Sequence, residues 1–265
     1  MSEIAHLSYS SISSYLTCSR AWKHHYIDKL PEPTTPALIF GSAIHDTVEK
    51  LISANTVGNE ATSNPLGMAG GGEMFRELYQ ARLEKETDID WQGTTIEDQL
   101  RLGERILTTP EVFENLSRLR AKVDAEGKPM IERKVELSVP GVGVPVIGYI
   151  DIILADGTPA DFKTASRAWS QSQAENSMQS LFYLAALNQA GEEINWKFRH
   201  LVVTKTLTPK FQELKHAHEP RELFFLFDLI RSVWAGISAG VFVPNPDCWK
   251  CSPKYCPHFM SCRGK

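Results

Sequence analysis

Three features of this 265-residue sequence predict an α/β fold. Residues 147–164, IGYIDIILADGTPADFKT, read as two short strands, with β-branched and aromatic residues flanking an Asp156-Gly157 turn. Strand-like patterns recur at 130–139 and 194–206. Around these runs, apolar residues return at helical spacing both before and after the hairpin. At 42% hydrophobic the chain can bury a sizeable core, as one large domain or two small ones. No apolar run approaches the roughly 18 residues that read as a membrane helix. The N-terminus lacks the basic and apolar regions of a signal peptide. A cytoplasmic protein with no membrane partner is therefore expected. The net charge of −4 argues against an indiscriminately basic coat but leaves local patches open.

The hairpin carries the chemistry. With a three-residue loop, Ala155-Asp156-Gly157, and Gly157 in the left-handed position, Leu154 pairs with Thr158 and Asp151 falls opposite Asp161. Cβ atoms of opposed residues lie about 4.5–5.5 Å apart, so two carboxylates can share one metal ion. Lys163 points to the same face as Asp161, because side chains alternate along a strand. A two-residue turn would send the acids to opposite faces. Like charges opposed in a sheet are destabilising, and unpaired buried carboxylates more so. Either Lys163 salt-bridges an acid on an exposed face, or the acids hold a divalent ion while the ammonium faces a scissile phosphate.

Taken in order, residues 8–30 open with serines that can cap a helix carrying Ile12, Tyr15, Leu16 and Trp22, with Cys18 inside it or at its end. Pro31, Pro33 and Pro36 make a stiff connector. Ser42 can cap a helix on which His45 and Glu49 are i,i+4 neighbours. Residues 55–72, rich in Gly, Asn and Ser, read as a mobile loop. Amphipathic helices are expected over 73–109 and 110–126, the second starting at Pro110. In strand 130–139, Glu132 can face the metal side or solvent, and solvent is preferred. A helix over 166–190 places Gln179 and Tyr183 on one face, packed by Met178, Leu181, Phe182, Leu184 and Leu187. A strand at 194–206, a loop carrying Lys210 and Lys215, and an apolar helix over 220–239 complete the pattern.

The chain ends CWKCSPKYCPHFMSCRGK. Cys248, Cys251, Cys256 and Cys262 can by themselves form a four-thiolate Zn²⁺ site, and four thiolates equally hold a cubane iron–sulfur cluster. In a reducing compartment ligation is favoured over disulfides. Lys250, Lys254, Arg263 and Lys265 occur there without an acid, and can meet phosphate.

Gly148-Tyr149-Ile150-Asp151 followed by Asp161-Phe162-Lys163-Thr164 resembles the core of the PD-(D/E)XK nucleases, specifically their RecB-like branch. The resemblance extends to the Gly…His…Glu helix, the Gln-x-x-x-Tyr helix after the Asp-x-Lys strand, and the cysteines, all in family order. It implies a mixed central β-sheet flanked by helices, a restriction-endonuclease-like core, in a single domain spanning 1–265 with a mainly helical insertion over 55–126. Iron–sulfur members, including the AddB nuclease domain and the CRISPR adaptation exonucleases, bind a [4Fe–4S] cluster through one cysteine near the N-terminus and three after the core. That pattern implies ligation by Cys18, Cys256, Cys262 and one of Cys248 and Cys251. Cys251 is favoured, since its neighbours look more like the family's cluster loop. Segments 1–30 and 240–265 would then form one cluster-binding region, and a clip across nearly the whole chain would remove much unfolded-state entropy.

The resemblance further implies metal-assisted hydrolysis of DNA. His45, Asp151, Asp161 and the Phe162 carbonyl would bind Mg²⁺ or Mn²⁺, the imidazole tilting the site toward Mn²⁺. Lys163 would orient water and stabilise charge on the phosphate, with Gln179 and Tyr183 arranging the site. The substrate expected from the nearest members is single-stranded DNA or DNA ends, cut by an exonuclease, with Trp22, Trp169 or Tyr255 as stacking residues. Partners would be a helicase or a recombination or CRISPR protein. Two other readings remain: a catalytically silent DNA-end-binding subunit, and a zinc-stapled structural subunit. The absence of a P-loop excludes an ATP-driven helicase in this chain.

Overall fold

The structure, a computed structural model, describes residues 4–57 and 67–264. Strand β1 (Leu7–Ser8) leads directly into α1 (Tyr9–Thr17), whose N-cap Ser8 exchanges a capping box with Ser11. The expected first helix breaks at Cys18, which is extended (φ −160°) and begins α2 (Ser19–Tyr26). Helix α3 (Pro36–Val57) starts about two turns earlier than Ser42 predicts. Pro36 suits the first position of a helix, and Thr35 Oγ1 accepts from the Leu38 N–H at 3.4 Å, leaving Ser42 inside.

Where it is described, the Gly-rich stretch is helical. Helix α4 (Gly67–Leu83) buries Gly71 and Gly72 where it meets α5 (Ile96–Thr108), so small residues that suggest a loop serve close helix packing. Residues 58–66 of the expected loop lie outside the described residues. The predicted helix over 73–109 is therefore two, and α6 (Pro110–Arg118) begins at its proline as expected.

Strands β2 (Ile131–Leu137), β3 (Val146–Ile153) and β4 (Pro159–Ala165) follow. Helix α7 (Gln171–Glu175) and α8 (Met178–Gln189) replace the single helix expected over 166–190. Beyond β5 (Lys197–Thr204), residues 211–217 form β6 (Phe211–Ala217), where a loop is expected. Its Glu213 and Lys215 disguise the strand, yet each joins an ion-pair set with Arg199 of β5 or with the other. Helix α9 (Leu223–Ser238) and the short α10 (Phe259–Arg263) complete the chain.

The six strands form one mixed sheet, and its topology creates the site. β2 runs antiparallel along one edge of β3, from Leu137↔Val146 to Ile131↔Ile152. The other edge of β3 is shared. β1 takes its start, at Leu7↔Val146 and Ser8↔Ile147, and β4 takes its end, at Ile152↔Ala160 and Ile153↔Pro159. Between those partners, residues 148–151 stand at an open fork. β4 then pairs in parallel with β5, and β5 antiparallel with β6. One apolar cluster joins α1, α2, α8 and α9 to the sheet, and a second joins α3 to α6. Among the described residues, no helix is long and apolar enough to cross a membrane.

At the α8 face, a Cβ on Gly148 would meet Tyr183 at 2.9 Å and collide with Phe182, so only glycine lets that helix close on β3. Nearby, His200 and His216 stack with ring centroids 5.1 Å apart, both buried. Burial pushes His216 down to about 4, with help from neighbouring His218. A histidine depressed in the folded state contributes stability above its unfolded pKa of about 6.5 and loses it as pH falls toward the folded value. The wild type is thus expected to lose more stability between pH ~6.5 and ~4 than His216→Phe, read as urea midpoints. Equal losses would show that His216 does not contribute.

Candidate active site

The loop closing the hairpin is the one its sequence predicts. Gly157 is left-handed (φ 81°), Leu154 N donates to Thr158 O at 2.9 Å, and Thr158 N donates to Asp156 Oδ1 at 3.0 Å. Arg199 of β5 pins Asp156 from outside. This register carries Asp151 opposite Asp161, at the point where the β3–β4 ladder ends. There the Asp151 side chain takes over from the ladder: its Oδ2 accepts from the Phe162 N–H at 2.6 Å.

Helix α3 brings His45 to the same place. Its Nε2 lies 3.1 Å from the Phe162 carbonyl and 3.3 Å from Asp151 Oδ2, while Nδ1 faces Glu49 at 3.4 Å. Burial penalises the imidazolium, but the Glu49 hydrogen bond and the charges of Asp151 and Asp161 raise His45 to about 9. Asp151 is driven up to about 8 by burial and then by Asp161, against the pull of His45 and Lys163.

Lys163 stands on the far side of Asp161. Its Nζ lies 2.7 Å from Asp161 Oδ2, an ion pair outside hydrogen-bond geometry, and donates to Gln179 Oε1 at 3.0 Å. Gln179 Nε2 in turn donates to the Tyr183 hydroxyl at 2.9 Å. Burial disfavours the ammonium, but Asp161 and Asp151 more than offset it, so Lys163 stays charged with a raised pKa. Tyr183 is likewise raised, by burial and by the two aspartates, and keeps its proton. Gln179 and Tyr183 thus belong to one hydrogen-bonded chain ending on Lys163.

Glu132 is the residue that sequence reasoning sends the wrong way. The residue is exposed, yet its carboxylate reaches the site: ligand atoms of His45, Glu132 and Asp151 all lie within 4.8 Å of one another. Asp161 is not among the three. Glu132 has φ 50°, a left-handed conformation costing a non-glycine residue about 1–2 kcal/mol. That kink interrupts the β2 ladder between Ile131 and Arg133. Burial and contact with Glu49 push Glu132 up to about 7. The one signal available beforehand was parity, since Glu132 falls opposite Asp151 in an antiparallel pairing of β2 with β3.

The sequence matches the model of the PD-(D/E)XK nuclease superfamily over residues 6–263. The chain belongs to that superfamily. In this PD-(D/E)XK nuclease, Asp161-Phe162-Lys163 has the residue pattern of a (D/E)-x-K element. No curated protein matches the sequence. Among solved structures, the nuclease resembles a candidate exonuclease from Eubacterium rectale (TM-score 0.57, 10% identity, 93% of this chain and 87% of that one). That likeness speaks to fold alone. SSO0001 aligns over 93% of both chains at 15% identity, but its TM-score of 0.34 carries no argument.

PD-(D/E)XK nucleases use divalent metals, and this chain's donors fit one. His45, Glu132 and Asp151 bring one ligand atom each within 4.8 Å of one another, an imidazole and two carboxylates of the kind that hold a divalent ion, while the buried Asp161 Oδ2 is already paired with Lys163.

The five cysteines of the nuclease meet elsewhere. All are free thiols lining one cavity of about 620 Å³ between α1–α2 and the C-terminal tail. The tail docks there through side chains of the first helices. Tyr15 OH donates to Val241 O at 2.6 Å, Ser19 Oγ to Val243 O at 3.0 Å, and Arg20 Nε to Phe242 O at 3.0 Å. Of the rings expected to stack on DNA, Trp22 is 1% exposed and sits in the core, because its indole packs between Tyr26 and Phe242. Trp169 is half-buried against His200, and Tyr255 is exposed.

Proposed function

We propose that this nuclease is a metal-dependent exonuclease of single-stranded DNA. The observation that carries the reading is the fork between β3 and β4, where three acids, an imidazole and a charged lysine converge. His45, Glu132 and Asp151, with Asp161 and the Phe162 carbonyl, would hold Mg²⁺ or Mn²⁺. A divalent ion in that position lowers the pKa of water and screens the phosphate. Asp151 ties the ligands to the backbone through Phe162 N–H, so hairpin and site move as one. Lys163, aimed by Asp161 and Gln179, presents its ammonium to charge developing on the phosphate. Tyr183, protonated, steadies Gln179 through the amide.

We also propose that Cys18, Cys251, Cys256 and Cys262 ligate a [4Fe–4S] cluster. All five cysteines line the cavity between α1–α2 and the tail, and Cys251 is taken over Cys248 because its neighbours look more like the family's cluster loop. A four-thiolate Zn²⁺ site is the competing occupant, and a colourless rather than brown protein would identify it.

The test is digestion of strands labelled at the 5′ or 3′ end, single and double, with Mg²⁺ and Mn²⁺ in parallel. Stepwise shortening of single strands from one end is expected; internal cuts alone, or no turnover with either ion, would overturn the proposal. Glu132→Gln keeps size and removes charge. It should weaken Mn²⁺ binding by about 10-fold or more, comparable to losing a ligand's support. Calorimetry showing wild-type affinity would return Glu132 to solvent.

A further inference from the structure

We propose that the C-terminal tail carries a base-stacking platform for single-stranded DNA, built from Trp249 and Tyr255 and separate from the metal-binding fork. The proposal rests on the reading of the chain as a DNA nuclease. Trp249 is 69% exposed and Tyr255 47%. Their rings meet edge to face, with centroids 5.6 Å apart at 67°. Neither belongs to an apolar cluster of the fold. Rings this large are usually buried, so their display calls for a partner.

The charges nearby say which partner. Lys250 Nζ sits 5.4 Å from the Trp249 centroid, Lys254 Nζ 5.2 Å from that of Tyr255, and the Arg263 guanidinium 5.9 Å from that of Phe259. Residues 248–265 contain four basic side chains and no acidic one, in a chain whose net charge is −4. Each cation lies over one face of its ring; a base stacks on the opposite face, or takes that face as the flexible lysine swings to its phosphate. Single strands are the class that fits, because a duplex hides its base faces. An acidic protein would satisfy the cations but gives no reason for the flat rings.

Binding of a fluorescent oligothymidylate to the full-length protein, with EDTA present so that no strand is cut, tests this. Trp249→Ala/Tyr255→Ala is expected to lose affinity by about 100-fold, since each base stacked is worth about a factor of ten. Trp249→Phe/Tyr255→Phe keeps the π faces and should stay within about threefold of wild type. Lys250→Ala/Lys254→Ala should reduce the slope of log affinity against log salt by about 1.4, the value for two phosphate contacts on a single strand. Three results would overturn the platform: wild-type affinity in the double-alanine variant, equal loss in the phenylalanine and alanine pairs, or wild-type binding of polyglutamate as tight as that of oligothymidylate. Binding is read without turnover. A protein that stacks DNA but cleaves nothing therefore refutes the exonuclease reading alone, and one that cleaves without needing the rings refutes the platform alone.

Discussion

Lys163→Ala is expected to lower the rate of DNA cleavage by about 10³-fold, the scale seen when one preorganised electrostatic donor is lost, while the protein still binds Mn²⁺. The ammonium contacts Asp161 Oδ2 and Gln179 Oε1 and is no part of the convergent donor set of His45, Glu132 and Asp151. Its removal leaves Asp161 and Asp151 without their cation, so the metal-free protein should lose stability and gain metal affinity. Asp161→Ala is expected to behave differently. It should abolish cleavage and weaken metal binding together, while the metal-free fold changes less than in Lys163→Ala, because the lost Lys163 pairing is offset by relief of the like charge beside Asp151. Calorimetric titration with Mn²⁺ and single-turnover cleavage separate the two. If Lys163→Ala loses metal as severely as Asp161→Ala, Lys163 is structural. Full activity in Asp161→Ala would remove the fork from the mechanism.

The second large effect is expected at the other end of the molecule. Cys18→Ser replaces a soft thiolate by a harder, less readily deprotonated hydroxyl, so iron and sulfide should be lost from the protein. The tail would then rest on its hydrogen bonds to α1 and α2, on Phe242 packed against Trp22, and on His258, which lies 3.0 Å from Glu32. Thermal stability should fall by several degrees or more, as when a long-range clip is removed, and Cys256 and Cys262 should become open to alkylation. Cys248→Ser should keep its iron. The fork stands on separate strands, so activity at low temperature should survive in Cys18→Ser until the protein unfolds. Full iron in Cys18→Ser, with loss in Cys248→Ser, would place all the ligands in the tail and refute the end-to-end clip.

Much of this was legible because local rules reach far when a turn fixes a register. Once the loop is the three-residue Ala155-Asp156-Gly157, with Gly157 left-handed, its register sets Asp151 against Asp161 with Lys163 beyond. The i,i+4 spacings that pair His45 with Glu49 and Gln179 with Tyr183 are equally local, and both contacts are present. Helix ends were less legible, since Ser42 and the glycines at 70–72 look like caps and loop until a neighbouring helix packs on them.

What only the tertiary structure decided is what depends on a second chain segment of no fixed distance in sequence. Strand β1 is two residues long and β6 is charged, so neither declares itself without the edge it pairs with. Glu132 shares the face of Asp151 only once β2 is known to pair with β3 in this register, which no local rule supplies. Trp22 reads as a surface ring and is core, because the tail residue Phe242 folds back to cover it. The sequence by itself determined which residues face each other across a turn or along one helix face. The fold determined which of them a remote segment then buries, because burial is a property of the whole packed chain and not of any stretch of it.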